Sequence, residues 1–152
     1  MHDDYMTPLH AWEAVAHLIP PRGVIWEPFY GDGSSGEHLR SLGFEVIHEN
    51  IDFFNHDHGD IIVTNPPFSK TKNIIPRLKE LNKPFIMIMP TSKICTKYVR
   101  ESFGTSIQII IPHKRINFVK REDGVEVESP GCPFDCFYYC YNMGLPRDIL
   151  FL

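Results

Sequence analysis

The apolar residues of the chain fall into short runs of two kinds. One kind is rich in β-branched side chains and has the length of a strand, at 23–29, 44–49, 60–65, 83–90 and 106–112. The other kind places apolar residues at helical spacing, at 9–19, 31–44, 71–82 and 92–103. The run at 60–65 is apolar on both faces, which is typical of parallel strands covered by helices. The pattern therefore predicts strands alternating with helices.

Local signals predict where these helices begin and end. Thr7-Pro8 suits the entry to the first helix. The second helix follows a glycine turn, with Ser34 or Ser35 as its candidate cap and Gly43 as its end. Pro76 is compatible with the third helix if it lies in the first turn.

The pattern changes after residue 112. Residues 115–129 predict a hairpin that turns at Asp123-Gly124, and 136–141 predict a final aromatic strand. Strands alternating with helices, followed by a hairpin, favour an α/β fold: a doubly wound, mostly parallel sheet with an antiparallel strand or hairpin at its edge. With 152 residues, we expect one domain over 1–152.

Composition places the chain among ordinary globular proteins, at 43% hydrophobic and 22% charged residues. No apolar run approaches the roughly 20 residues that span a bilayer, so we expect no membrane partner. The first ten residues lack the basic-then-apolar layout of a signal peptide, and we expect a cytoplasmic location.

Cysteines at 132, 136 and 140 raise the question of a metal site. Structural zinc sites usually combine a close pair of ligands with a second, distant pair. A two-residue period instead puts Cys132, Cys136 and Cys140 on one face of a strand, where we expect them to be buried. We therefore predict no metal.

The net charge of −4 hides an uneven distribution. Residues 1–69 carry −9, residues 70–121 carry +10 and residues 122–152 carry −5. A lysine-rich stretch can be a set of solvated helix faces. A balance of +10 over about fifty residues favours the alternative, a basic surface that contacts a phosphate backbone.

Polar residues follow three of the predicted strands. Glu27 ends the first strand and precedes the turn "GDGSSG", in which Gly31 and Gly33 allow the backbone to approach a ligand closely. Glu49, near the end of the second strand, is placed to bind ribose hydroxyls, and Asp52 and Phe53 would contact an adenine amine and ring. Because acids surround the turn, it suits a positively charged cofactor better than a pyrophosphate.

"NPPF" follows the third strand, at 65–68. Ligands of doubly wound sheets bind beyond the carboxyl ends of the strands, so this motif and the glycine turn are expected to share one crevice.

These motifs resemble those of a known family. "EPFYGDG" is similar to the cofactor turn of class I S-adenosylmethionine-dependent methyltransferases, and "NPPF" to the motif of members that methylate planar amino nitrogens. "YMTP", residues 5–8, resembles the segment that closes over the methionine end of the cofactor. The order of the motifs is similar to that in small DNA N6-adenine methyltransferases of phages and large DNA viruses.

The resemblance implies a Rossmann-like methyltransferase sheet, S-adenosyl-L-methionine as cofactor and DNA as partner. It adds further candidate residues for cofactor binding, namely Tyr5, Thr7, Pro8 and Pro28.

The chemistry of adenine gives "NPPF" its expected role. The lone pair of the N6 amine is delocalised into the ring, so transfer needs acceptors on the amine hydrogens that aim the lone pair at the methyl group. We expect the Asn65 side-chain oxygen and the Pro66 carbonyl to be these acceptors, with Pro67 stiffening the chain. Phe68 would stack on the flipped base.

Phosphate contacts are expected from basic residues after this motif, namely Lys70, Lys72, Lys93, Lys97, Arg100 and, more weakly, Arg115. Phe118 is a further candidate for the base pocket. Alternatives remain open: cytosine N4, RNA adenine or a protein glutamine as acceptor, or a cofactor-binding subunit of a larger complex. Since 152 residues hold no separate target-recognition domain, a homodimer or partner subunit is a further expectation.

Overall fold

Two sheets organise the chain in the computed structural model, which describes residues 5–122, 125–126 and 135–152. The strands are β1 (Tyr5–Met6), β2 (Val24–Trp26), β3 (Glu45–Ile47), β4 (Ile61–Thr64), β5 (Phe85–Pro90), β6 (Ile107–Ile111), β7 (Val119–Glu122), β8 (Val125–Glu126), β9 (Cys136–Tyr141) and β10 (Ile149–Phe151). The helices are α1 (Leu9–Glu13), α2 (Ser34–Ser41), α3 (Thr71–Leu81) and α4 (Lys97–Phe103). Short 3₁₀ segments are Ala16–Leu18, Phe53–Asn55, Phe68–Lys70, Thr91–Cys95 and Gly104–Ser106.

The main sheet has seven strands in the order β10-β6-β9-β5-β4-β2-β3. All neighbours are parallel except at β9, which runs antiparallel to both β5 and β6. The predicted doubly wound, mostly parallel sheet with an antiparallel strand is therefore confirmed.

The predicted place of the antiparallel strand at the edge of the sheet is wrong. β9 pairs antiparallel with β5 on one side and with β6 on the other, so its backbone is hydrogen-bonded along both edges, and Tyr138, Tyr139 and Cys140 are buried on its two faces. Cys136 and Cys140 lie buried on one face, as predicted, and burial raises the pKa of Cys140 to about 12. Cys132 lies outside the described residues.

Helices cover both faces of the main sheet. On one face, α1 and α2 contribute Trp12 and Leu39 to a core cluster with β2, β4, β5 and β9. On the other face, α3 and α4 contribute Ile74 and Phe103 to a second cluster. No helix in the described ranges is long and apolar enough to cross a membrane.

Three helix predictions need correction. The helix predicted over 9–19 ends at Glu13, because the Tyr138 hydroxyl donates to the Ala11 carbonyl at 2.5 Å and Val15 N–H bonds to Trp12 instead. The cap of α2 is Gly33 rather than a serine, and Gly43 follows its end with a φ of 98°. The helix predicted over 92–103 is divided at Thr96, whose extended backbone begins α4.

Pro76 lies in the second turn of α3 rather than the first. The preceding 3₁₀ turn Phe68–Lys70 leads directly into α3, which has helical geometry from Thr71 onward.

The predicted hairpin forms a second, three-stranded sheet. β7 pairs antiparallel with β8, and the predicted turn Asp123-Gly124 lies outside the described residues. β7 also pairs antiparallel with β1, with Tyr5 opposite Lys120 and Met6 opposite Val119. This pairing brings the N-terminal segment beside the carboxyl ends of β2 and β4.

Candidate active site

A cleft of about 320 Å³ opens at the carboxyl ends of β2, β3 and β4. Its walls come from the segment 5–7, the turn after β2, residues 50–54 and residues 65–70. The volume lies at the lower end of the range for small-molecule sites. Because β2 lies between β3 and β4, the loops that follow these strands meet here.

Most of the predicted site residues are brought together in this cleft. The walls contain Tyr5, Thr7, Glu27, Pro28, Gly31, Asp52, Phe53, Asn65, Pro66, Pro67, Phe68 and Lys70. Pro8 and Gly33 stand just outside the walls, where they precede α1 and α2. Glu49 is exposed, two residues beyond β3, and the wall formed by this loop begins at Asn50.

Glu27 joins the two loops of the site. Its Oε1 accepts hydrogen bonds from the Thr64 hydroxyl at 2.5 Å and from Phe29 N–H at 3.1 Å. Its Oε2 accepts from the Ser35 hydroxyl at 2.9 Å, and Asn65 N–H also donates to the carboxyl group. The carboxyl group thereby holds the end of β4 against the turn after β2.

Burial dominates the electrostatics of Glu27, which is 1% exposed. Desolvation raises its pKa from 4.5 to about 8, against the lowering effect of the hydrogen bonds from Thr64, Phe29, Ser35 and Asn65. At neutral pH the group is therefore mostly uncharged without a ligand. The negative charge that the sequence places beside the turn is smaller than expected.

Asn65 carries the most unusual polar atom of the cleft. Its Oδ1 is buried and, among the described residues, has no hydrogen-bond partner. A buried acceptor without a donor costs about 1–3 kcal/mol, so such atoms are rare unless a ligand supplies the donor. Asn65 lies in the cleft wall, between Thr64 and Pro66.

Phe68 lies beside Asn65 and is 8% exposed. Its ring meets that of Phe118 edge to face, at a centroid distance of 6.5 Å and an interplanar angle of 87°. Phe118, which precedes β7 and was a candidate for the base pocket, contacts Phe68 but is not among the described residues that line the cleft.

His48 is a residue whose role the sequence did not indicate. Its Nδ1 lies 2.8 Å from the carbonyl oxygen of Glu27 and its Nε2 lies 3.1 Å from that of Tyr30. The Tyr30 ring stacks on it at 4.9 Å. Gly36 makes room for the imidazole, because a Cβ at Gly36 would lie 2.4 Å from His48 Cδ2. The third glycine of "GDGSSG", Gly36, is the feature of the sequence that could have indicated this close contact.

The segment 5–7, here called the strap, crosses the glycine turn. Gly31 has a φ of 59°, which favours glycine, and a Cβ there would lie 3.0 Å from Met6 Sδ, so the strap passes close over the turn. Arg121 on β7 forms an ion pair with Asp32, with 2.7 Å between Nε and Oδ2. Desolvation opposes ionisation of Asp32, but hydrogen bonds from Ser34 and the charge of Arg121 lower its pKa below the usual range.

The segment after β3 forms the opposite wall. Asp52 accepts hydrogen bonds from Phe54 N–H at 2.9 Å and from Asn55 Nδ2 at 2.6 Å, and so caps its own 3₁₀ turn. Phe53 is 3% exposed and packs against Trp26 and Phe29. Phe54, 41% exposed, adds a second aromatic residue to the cleft wall, a role that the sequence did not indicate.

The basic stretch is divided in the structure. Five of its described cations lie within 4 Å of an acid, in the pairs Arg77–Glu80, Lys83–Asp57, Lys97–Glu101, Arg115–Asp135 and Arg121–Asp32. Among the candidate phosphate contacts, Lys97 and Arg115 are in this paired group. Lys70, which lines the cleft, and Lys72 and Arg100 are exposed, and Lys93 is half-buried in the turn after β5.

Comparisons with known proteins leave the family open. No family model matches the chain, and no curated protein matches it. Among solved structures, the chain is similar to TrmN from Thermus thermophilus, at 13% sequence identity and a TM-score of 0.36. The similarity covers 86% of this chain and 40% of that one, so the chain spans well under half of its length. We draw no argument about function from a likeness of this size.

Proposed function

We propose that the protein is an S-adenosyl-L-methionine-dependent methyltransferase that acts on the N6 amine of adenine in DNA. The observation that carries the proposal is made at Asn65, a residue of the cleft wall whose buried Oδ1 has no donor among the described residues. An amine hydrogen of the acceptor base is a donor that would satisfy it.

The cleft fits the cofactor in three respects. Gly31 removes a side chain where the strap crosses the turn. Phe54, in the wall after β3, and Phe29, in the turn after β2, offer rings suited to an adenine. Glu27 offers a buried carboxyl group that has no basic partner among the described residues and that could ionise beside a cationic ligand. S-adenosyl-L-methionine would supply a methyl group on a positively charged sulfur.

The residues on the acceptor side of the cleft contribute by holding the acceptor base in the orientation needed for transfer. Asn65 Oδ1 and the Pro66 carbonyl accept the two amine hydrogens and turn the nitrogen lone pair toward the methyl group. Pro67 limits the backbone freedom of the loop, with a φ of −63°. Phe68, which Phe118 contacts, forms the aromatic side against which the base rests.

The charge near this wall supports a nucleic-acid substrate. Lys70, Lys72 and Arg100 are exposed basic residues on the segments after β4 and β5, and such residues suit the phosphates that flank a flipped base. A protein glutamine would make no use of them.

The first test identifies the product. The protein is incubated with methyl-labelled S-adenosyl-L-methionine and duplex DNA, single-stranded DNA or RNA, and the modified nucleoside is identified by mass. We expect N6-methyladenine in DNA. N4-methylcytosine or methylated RNA would contradict the proposed substrate, and no label in any acceptor would contradict the activity.

The second test addresses Asn65. Asn65→Ala removes the acceptor and should lower kcat by about 100-fold or more, as loss of one polar contact to a transition state does elsewhere. Asn65→Asp keeps an acceptor and should retain more activity than the alanine variant. The exposed Asn73 on α3 is the matched control, and Asn73→Ala should leave kcat unchanged. An equal loss of cofactor affinity and of kcat in Asn65→Ala would mean that Asn65 only supports the loop.

A further inference from the structure

Glu27 is an ionisable group that the proposed reaction leaves without a defined part. Its side chain does not reach out into the cleft as a free ligand would, since the residue is 1% exposed and four donors surround the carboxyl group. Thr64 ends β4 and Asn65 follows it on the proposed acceptor side of the cleft, whereas Phe29 and Ser35 lie on the proposed cofactor side.

The donors and the burial of Glu27 favour opposite protonation states. Four donors match a carboxylate, which only accepts hydrogen bonds, whereas a neutral acid must place its own hydrogen. No lysine or arginine of the described chain pairs with the group, so burial penalises the charge. A positive charge in the adjoining cleft would tip this balance toward the carboxylate.

The polar and charged groups packed around Glu27 already have hydrogen-bond or ion-pair partners. Around Glu27, Thr64 and Ser35 present hydroxyls, and behind Ser35 the Trp12 indole donates to its oxygen at 2.9 Å. His48 contacts the backbone carbonyl of Glu27 rather than its carboxyl group. On the same turn, Asp32 pairs with Arg121.

We propose that Glu27 is a positioning residue for Asn65, and that its carboxyl group releases a proton to the solvent when S-adenosyl-L-methionine enters the cleft. The inference rests on the proposed function, because it needs a cationic cofactor. The ionised carboxylate accepts more strongly from Asn65 N–H and the Thr64 hydroxyl, so the amide oxygen becomes fixed once the methyl donor is present. The cofactor would thereby order the acceptor side of the site.

Proton release is measured by titration calorimetry of S-adenosyl-L-methionine at pH 7 in two buffers that differ in ionisation enthalpy. The difference in observed heat gives the number of protons released. With a pKa of about 8 before binding, the wild-type protein should release about 0.9 proton more than Glu27→Gln. Glu13→Gln changes an exposed carboxylate on α1 and should behave as wild type. Titration of the cofactor's own amine is common to all three proteins and cancels.

The affinity has a matching pH dependence. The ratio of the dissociation constants of Glu27→Gln and wild type should rise about tenfold from pH 6 to pH 7 and become flat above about pH 8.5. At saturating cofactor, kcat of Glu27→Gln should fall because Asn65 is less firmly held. Infrared difference spectra of the wild-type protein give a measurement independent of the variant: the C=O stretch of a protonated carboxyl group should disappear when the cofactor is added.

The outcomes separate this inference from the proposed function. Failure of the wild-type protein to bind S-adenosyl-L-methionine would overturn the proposed function. Binding with the same proton release in wild type and Glu27→Gln, or with no loss of the C=O stretch in the wild-type spectra, would overturn the inference alone.

Discussion

Replacing Glu27 by glutamine should change how the stability of the ligand-free protein depends on pH. The carboxyl group keeps its proton up to a pKa of about 8 in the folded state, against an ordinary value of 4.5. Between these two values the folded protein holds a proton that the unfolded chain has lost. The free energy of unfolding of the wild-type protein should therefore fall as the pH rises through this window.

The magnitude follows from the difference of about 3.5 pH units. At about 1.36 kcal/mol for each unit, the full window corresponds to roughly 5 kcal/mol, and the range from pH 5 to pH 7 to about 2–3 kcal/mol. Glutamine has nearly the same shape and does not titrate. The stability of Glu27→Gln relative to wild type should therefore rise by about 2–3 kcal/mol from pH 5 to pH 7.

Urea unfolding at several pH values, followed by the fluorescence of the buried Trp12 and Trp26, measures this difference. Comparison with the variant removes the contributions of other titrating groups, including the eight histidines. Parallel stability curves for the two proteins would show that Glu27 is ionised in the folded state without a ligand, and would refute the argument from burial.

Three further predictions address other parts of the structure. Lys70→Gln should reduce the slope of DNA affinity against salt concentration by about one counterion, because Lys70 lines the cleft. The control is Lys79→Gln, which changes a lysine that packs on an aromatic ring of α4 and should leave this slope unchanged in the same binding assay. Arg121→Gln should raise the dissociation rate of S-adenosyl-L-methionine about two- to fivefold in stopped-flow measurements, because a partly exposed ion pair contributes up to about 1 kcal/mol. An unchanged rate would show that the ion pair between Arg121 and Asp32 does not hold the strap over the cleft. Gly36→Ala should lower the free energy of unfolding by about 1–3 kcal/mol in urea titrations, and a loss that persists in a His48→Ala background would contradict the overlap as its cause.

The sequence predicted the parts of the fold that depend on local patterns. The strand over Ile61–Thr64 and the strand over Phe85–Pro90 were predictable because their apolar runs have the right length and are buried on both faces. The cleft was predictable from topology: once the strands are parallel and adjacent, the residues after their carboxyl ends lie close together.

The remaining features depend on contacts between residues far apart in the chain. The helix predicted over 9–19 is shortened by the Tyr138 hydroxyl, which lies 127 residues away in sequence. The place of β9 depends on which neighbours pair with it, and its aromatic pattern alone is compatible with an edge or an interior position. The role of His48 could not be assigned because both of its hydrogen bonds are to backbone carbonyls, which no side-chain pattern reveals.

The interior position of β9 has a consequence for how the protein is made. Until residues 136–141 leave the ribosome, β5 and β6 each present an open row of backbone donors and acceptors where β9 later binds. A nascent chain that stalls before this point therefore exposes two unpaired strand edges that can bind other chains. The sheet is completed only when β9 pairs with β5, which lies about fifty residues earlier in the sequence. Chaperone capture of such stalled chains should decline sharply once that segment has emerged.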